Sequence, residues 1–318
     1  MPIPPTDGAA AAVPLLSGRA LAGPLPPELP PLPALPLARA AVDRCADRRV
    51  DEAWLQARWA EPETRRYAVS RSRILVDTQP ALVSLPVADV PEGERYLLGI
   101  DERGIVHTAV STSEPLPGSQ SLRRIAPALS DRDGSLAVHA VGLSNWHATH
   151  RHCSRCGAAT TIGEAGHLRH CPADGSDHFP RTDPAVITLV LDESGRALLA
   201  RGVGWSPGQY ALLAGFVEPG ESAEQAVARE VMEEVGLRIH HTSYLGSQPH
   251  PYPSSLMIGF VARTRDVEVR LDRTELEDAR WVSRDELNQA MRTGDMAFAP
   301  SVSIARRMIE DWYGAPIP

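Results

Sequence analysis

Glu230, Glu233 and Glu234 stand three and four residues apart, a spacing that gathers side chains on one face of a helix. Three carboxylates held together repel one another, and a divalent cation relieves that repulsion. Hard oxygen donors at this density suit Mg²⁺ or Mn²⁺. On the glutamates alone, a solvated acidic helix face reads the same way. A second group has softer donors. Two residues separate Cys153 from Cys156, and Cys171 follows after a gap of fourteen. That spacing fits the first three ligands of a tetrahedral zinc site. What is missing also limits the chemistry. All 32 basic residues are arginine, which excludes Schiff-base lysine chemistry and a Walker-A phosphate loop. The net charge of −8 argues against broad electrostatic binding of nucleic acid.

The elements that must position these groups can be read locally. Ser222 followed three residues later by Gln225 is a capping box. Residues Ala223 to Val235 have strong helical propensity, and Gly236 suits the left-handed position that ends a helix. Further back, Ala185 to Leu191 and Arg196 to Arg201 read as strands joined by the turn at Asp192-Glu-Ser-Gly. The chain of 318 residues is long enough for two domains or one with an appendage. Residues 1–36, including the run from Pro24 to Pro33, read as a Pro/Ala-rich flexible arm. Residues 37–147 read as an N-terminal α+β domain. Helices are expected over Ala38–Arg49 and Asp51–Ala60, strands at Arg73–Asp77, Ala81–Leu85, Tyr96–Ile100 and Ile105–Val110, and a helix with a connector within Ser121–Leu143. Residues 148–180 form a unit too small to hold its own core without a staple. Residues 181–318 make up the C-terminal domain. No apolar run is of membrane-spanning length. The first positive charge is Arg19 and prolines interrupt the apolar stretches before it. A secretory signal is therefore not expected, and a cytoplasmic protein without disulfides is.

The stretch from Gly215 to Leu237 resembles the Nudix box, G-x5-E-x7-R-E-U-x-E-E-x-G-U, with U a bulky aliphatic residue. Gly215, Glu221, Arg229, Glu230, Val231, Glu233, Glu234, Gly236 and Leu237 fill every fixed position without a gap. The resemblance implies an α/β fold, an α/β/α sandwich with a mixed sheet. It implies hydrolysis of a nucleoside diphosphate linked to another group. By the same resemblance Glu230 and Glu234 are metal ligands, and Glu233 is a ligand or the base. Arg229 orients the carboxylates, and Glu221 binds metal or holds the loop. The carbonyl of Ala214 and the carboxylate of Glu275, which opens Glu275-Leu-Glu-Asp-Ala-Arg-Trp281, are further implied ligands.

The stretch from Ser247 to Ser255, Ser-Gln-Pro-His-Pro-Tyr-Pro-Ser-Ser, alternates three prolines, which makes it a stiff extended loop and bars it from a central strand. It is similar to the S-Q-P-W-P-F-P-x-S array of bacterial NADH pyrophosphatases, whose chains run N-terminal domain, zinc ribbon, Nudix domain. That resemblance implies hydrolysis of NAD(H) to nicotinamide mononucleotide and AMP, in some members with removal of NAD caps from RNA, and a homodimer. It places substrate contacts at Gln248, Pro249, His250, Pro251, Tyr252, Pro253, Ser254 and Ser255, at Phe179 and at Ala297. His250 stands where the family has tryptophan, and imidazole offers less stacking area than indole. Phe216 could supply one face. ADP-ribose and dinucleoside polyphosphates are the rival substrates, and a non-catalytic nucleotide sensor is the rival class. The zinc resemblance also departs from the family at one place: Asp174 occupies the position of the fourth cysteine. His178 is another donor within reach in sequence, with His152 and His170 nearby. Any zinc held there would be structural, since protein ligands would fill every position.

Overall fold

The structure, a computed structural model, describes residue 32 and residues 35–317. Most of the expected N-terminal arm lies outside the described residues. Leu32 and Leu35 belong to the fold: the Leu32 N–H donates to the Leu245 carbonyl at 2.8 Å, and Leu35 is buried in the C-terminal domain's core.

The N-terminal region holds helix α1 (Glu52–Ala60), strands β1 (Arg65–Ser70), β2 (Arg73–Leu75), β3 (Glu94–Ile100), β4 (Val106–Ser111) and β5 (Ser119–Ser121), and helices α2 (Leu122–Ile125) and α3 (Asp131–Thr149). The strands form a sheet in the order β3-β4-β1-β2-β5, with β1 parallel to β4. Helix α3 starts where the Ser130 hydroxyl accepts the Asp133 N–H, with two aspartates in its first turn, both of which favour a helix N-terminus. Its Leu136, Ala137, Ala140 and Val141 pack into the sheet's core beside Tyr67, Ile74 and Leu98. It runs to Thr149, past the expected divide between residues 147 and 148.

Three sequence expectations differ here. The helix expected over Ala38–Arg49 does not form; only Ala46–Arg48 makes one turn of 3-10 helix. Asp43 is instead bridged to Ile100 by two backbone hydrogen bonds, and Cys45 has a φ of 48°, a left-handed conformation that stops a helix. Ala81–Leu85 makes only isolated bridges, Val76 to Leu82 and Tyr67 to Ser84. Strand β1 was not anticipated. Its two leading arginines look solvent-facing in sequence, but Arg66 is buried and its guanidinium donates to the carbonyls of Trp59, Glu61 and Thr64.

A small three-stranded sheet follows: β6 (Thr161–Gly163), β7 (Leu168–His170) and β8 (Asp177–His178). The C-terminal domain contains β9 (Asp183–Leu191), β10 (Ala197–Gly202), β11 (Leu213–Phe216), helix α4 (Ala223–Val235), β12 (Ile239–His250), β13 (Ser255–Thr264), β14 (Leu276–Val282), and helices α5 (Arg284–Thr293) and α6 (Ile304–Tyr313). Its sheet runs β12-β13-β9-β10-β14, with β11 also paired to β9. The β9–β13 pair is parallel and the others are antiparallel, so the sheet is mixed. Side chains alternate along β9. Val186 and Val190 face α4 through Val227 and Val231. Ile187, Leu189 and Leu191 face α6 through Ile304, Met308 and Trp312. The result is a sheet between two helical layers.

The expected loop at Ser247–Ser255 is shorter than the sequence suggested. Strand β12 continues to His250, with Pro249 opposite Leu256, and only residues 251–254 form the turn into β13. β12 lies at the sheet's edge, where proline is tolerated because its missing N–H need not face a neighbour.

Candidate active site and cysteine cluster

Helix α4 carries the box acids and is fixed at both ends. The Gln225 N–H donates to the Ser222 hydroxyl at 3.3 Å and the Ser222 N–H donates to the Gln225 side-chain oxygen at 2.8 Å. At the other end Gly236 adopts a φ of 70°. Arg229 is the hub of the face. It donates to both oxygens of Glu221, at 2.8 and 2.9 Å, and to Glu230, Glu233 and the Phe216 carbonyl at 2.8, 3.1 and 2.8 Å. Such a two-pronged guanidinium–carboxylate pair fixes geometry as well as charge. Gly215 on β11 explains the box glycine: a Cβ there would lie 1.9 Å from the Glu230 carboxylate carbon. The same strand places the Ala214 backbone beside the helix.

Glu234 is the electrostatic centre. It is 7 % exposed, and its Oε2 is buried with no hydrogen-bond partner among the described residues. Burial, reinforced by the charges of Glu230, Glu275, Glu233 and Asp272, pushes its carboxyl up to about 8. Burial also raises Glu230, against the pull of Arg229, while Glu233 and Glu275 add to the rise. Glu275 thus joins the group from the loop before β14. Asp272, whose N–H donates to the Glu234 carbonyl at 2.9 Å, was missed in the sequence; only its place three residues before Glu275 could have suggested it. Within the box one guanidinium serves three carboxylates, Glu221, Glu230 and Glu233, and none of its bonds reaches Glu234. A buried carboxylate oxygen without a donor, among acids that raise one another, fits a divalent cation.

The segment after the helix is anchored from behind. Gln248 is fully buried: its amide donates to the Val302 carbonyl and accepts the Ile304 N–H, both at 3.0 Å, so both ends serve the start of α6. Asn145 of α3 donates to the Pro251 carbonyl at 2.7 Å. The Tyr252 ring lies under the Arg123 guanidinium, 4.7 Å from its centroid, and edge-on to His250 at 4.9 Å. Ser254 donates to Asp183 at 2.8 Å, and Ser255 pairs with Asp183. The peptide bond between Tyr252 and Pro253 is cis. Register relates this segment to the box. Gln248 pairs Met257, Met257 pairs Ala185, and Ala185 pairs Phe216. Three strand spacings put Gln248 roughly 14 Å from Phe216 along one row of the sheet. Phe179 and Phe216 are 66 % and 58 % exposed, two aromatic faces turned to solvent. Ala297 is paired by backbone hydrogen bonds to Gly208 and Tyr210.

The ribbon cysteines occupy two turns built alike. The Cys153 N–H donates to the Ala158 carbonyl and the Gly157 N–H to the Cys153 carbonyl; the Cys171 N–H donates to the Ser176 carbonyl and the Gly175 N–H to the Cys171 carbonyl. Gly157 and Gly175 have φ of 77° and 73°. In this repeat Asp174 holds the place that Cys156 holds in the first turn. Ligand atoms of Cys153, Cys156, Cys171 and Asp174 all lie within 4.8 Å of one another. Hydrogen bonds from the Ser176 hydroxyl and N–H hold the Asp174 carboxyl well below the usual carboxylate range. The Cys153 thiol is lowered to about 6, chiefly by its hydrogen bond with Ser176. Burial raises Cys171 to about 11. His178 stays outside the cluster, against the Ser176 hydroxyl at 3.2 Å, and His170 pairs with Asp177 at 2.7 Å. Three thiols and a carboxylate at this separation fit tetrahedral zinc, whose bonds to sulfur and oxygen are each about 2.0–2.3 Å.

Comparison with known proteins divides the chain at the same place. Residues 148–179 match the NADH pyrophosphatase zinc ribbon domain, and residues 181–302 match the NUDIX domain. The chain is 39 % identical over 294 residues to a protein named NAD-capped RNA hydrolase NudC from Mycobacterium bovis, covering 87 % of this chain and 94 % of the relative. It is 38 % identical to its namesake from Mycobacterium tuberculosis, with the same coverage. Human NAD-capped RNA hydrolase NUDT12 is 39 % identical over 196 residues, which is 58 % of this chain and 42 % of that protein.

Proposed function

The chain belongs to the Nudix hydrolase family, in the branch with the NADH pyrophosphatase zinc ribbon, and from that premise we propose that it hydrolyses NAD(H) at the pyrophosphate. The products are nicotinamide mononucleotide and AMP, and the same reaction removes NAD caps from RNA. One observation carries the catalytic part: Glu234, a buried carboxylate with an unpartnered oxygen, at the centre of an acid cluster on the box helix.

Glu230 and Glu234, with Glu233, Glu275 and the Ala214 carbonyl, would hold Mg²⁺ or Mn²⁺. When bound, such an ion neutralises pyrophosphate charge and lowers the pKa of water. Arg229 keeps Glu221, Glu230 and Glu233 in register without spending its own charge on substrate. Glu233, the most exposed of the three helix acids, is placed to accept the proton of the attacking water. The new bond joins water oxygen to phosphorus, and the bridging P–O bond breaks toward the other mononucleotide. Phe179, Phe216 and His250 offer ring faces to the bases. Zinc in the ribbon has a structural task. A homodimer and a cytoplasmic location belong to the same reading.

The test is product analysis with Mg²⁺ and equal concentrations of NADH, ADP-ribose and a diadenosine polyphosphate. The proposal expects NADH to give mononucleotide and AMP at the highest rate. Turnover of ADP-ribose without turnover of NADH would defeat it.

A further inference from the structure

Behind the 247–255 segment lies a cavity of about 300 Å³, the lower end of the range for small-ligand sites. Pro249, Pro251, Ser254 and Ser255 line it, together with His139 and Gly142 of α3. Its charge is one-sided. Arg44, Arg49, Arg181, His139 and His167 line it, and among the described residues no carboxylate does. Arg181 is paired with Asp183 outside the lining. Arg44 and Arg49 form no ion pair with a carboxylate among the described residues, and Glu164, which favours the charged form of Arg49, is not part of the lining.

One polar atom here is left over. Arg49 donates one Nη to the Arg44 carbonyl at 3.2 Å, but its Nε is buried with no partner among the described residues. His139 and His167 also line the cavity, with their Nε2 atoms 3.1 Å apart. Buried donors without acceptors are costly. Burial, and after it the neighbouring Arg44, disfavour the charged form of Arg49, because adjacent guanidinium groups without a counter-charge repel. An anion in the cavity would offset that repulsion. The chain's overall charge is −8, so this basic lining is a local feature and not part of a general basic surface.

We propose that this cavity binds a phosphate group through Arg44 and Arg49, and that the phosphate is a phosphodiester of an RNA joined to the dinucleotide. The inference rests on the NAD-cap reading above. Both phosphates of the dinucleotide are needed at the box glutamates. Relative to NAD(H), a further phosphate is present when the adenosine ribose carries an RNA chain. The cavity shares its wall with the segment assigned to substrate, so a chain leaving the site can reach it. Guanidinium groups match phosphate geometry in the way this requires.

The test compares wild type with the double variant Arg44→Gln/Arg49→Gln, at fixed Mg²⁺, on NADH and on an NAD-capped oligoribonucleotide. The KM for capped RNA should rise about tenfold or more, the scale of losing charge-assisted hydrogen bonds. The KM for NADH should stay within about twofold, which also reports an intact fold. Arg44→Glu alone should act in the same direction, since this side chain is exposed and removing it leaves the fold untouched. Inorganic phosphate separates the two sources of the anion. It should raise the KM for capped RNA in wild type and lose that effect in the double variant. Phosphate binding abolished by the variant while its capped-RNA KM is unchanged would overturn the RNA assignment. Equal losses on both substrates would overturn the separate site. A wild type that cleaves neither substrate defeats the functional reading and this inference with it; a wild type that cleaves both, matched by the variant, defeats this inference alone.

Discussion

The acid cluster of α4 and the cysteine cluster of the ribbon both gather anionic donors, by opposite means. On α4 one helix supplies most of the donors, and a single arginine holds them while leaving Glu234 Oε2 without a partner. In the ribbon two matching turns bring exactly four donors together within 4.8 Å, with Ser176 bracing Asp174. The first arrangement leaves positions for water and substrate. The second fills a tetrahedron with protein. Open coordination suits catalysis and closed coordination suits structure, so the chain separates the two tasks in space and in choice of metal.

The largest expected effect breaks the open site and spares the closed one. Glu234→Gln keeps the side-chain shape and removes a charge, and kcat should fall about a hundredfold or more, the scale of several kcal/mol of lost charge stabilisation. Zinc content should not change. The same variant has a second signature in metal-free protein. Glu234 titrates near 8 when folded, against 4.5 ordinarily. Across that window the folded state binds more protons than the unfolded one, so stability falls as pH rises from about 4.5 to about 8. Urea unfolding at several pH values should show that slope in wild type and a flatter one in Glu234→Gln. An equal slope in both would show that Glu234 is not the strained group.

The next effect breaks the closed site. Asp174→Ala should drop zinc well below one per chain and lower Tm by roughly 5 °C or more, because the ribbon has little core of its own. Asp174→Cys should restore zinc and resist chelator better than wild type, since thiolate is the commoner donor in such sites. Metal analysis alongside calorimetry checks both. Undiminished zinc in Asp174→Ala would assign the fourth ligand elsewhere.

How much of this was readable in the sequence depends on how local the cause is. The box helix was, to its end residues, because capping by Ser222 and Gln225 and the stop at Gly236 are decided within one turn. Asp174 was legible through the family resemblance, which puts a fourth cysteine at its position, while His178 stayed open until the structure grouped Asp174 with the three cysteines. The helix expected over Ala38–Arg49 failed because the competing partner, Ile100, lies more than fifty residues away. Strand β1 was hidden because Arg66 is satisfied by carbonyls that sequence does not place near it. For the same reason nothing in the motif Ser247–Ser255 shows that Gln248 is held by α6, or that Asn145 of a separate region grips Pro251.

The smallest expected effect concerns the substrate side of the comparison. His250→Trp should lower the KM for NADH by up to about fivefold, the equivalent of about 1 kcal/mol of added stacking. Steady-state kinetics with NADH and ADP-ribose checks it; an equal change for both substrates would place the gain outside the nicotinamide half.

The separation of the two metals is tested most directly by NADH turnover in protein of known zinc content, first in magnesium-free buffer and then with Mg²⁺ restored. The account predicts no turnover with about one zinc bound per chain, and full turnover when Mg²⁺ returns with that zinc unchanged. Full turnover without Mg²⁺, or turnover that follows zinc content alone, would contradict it.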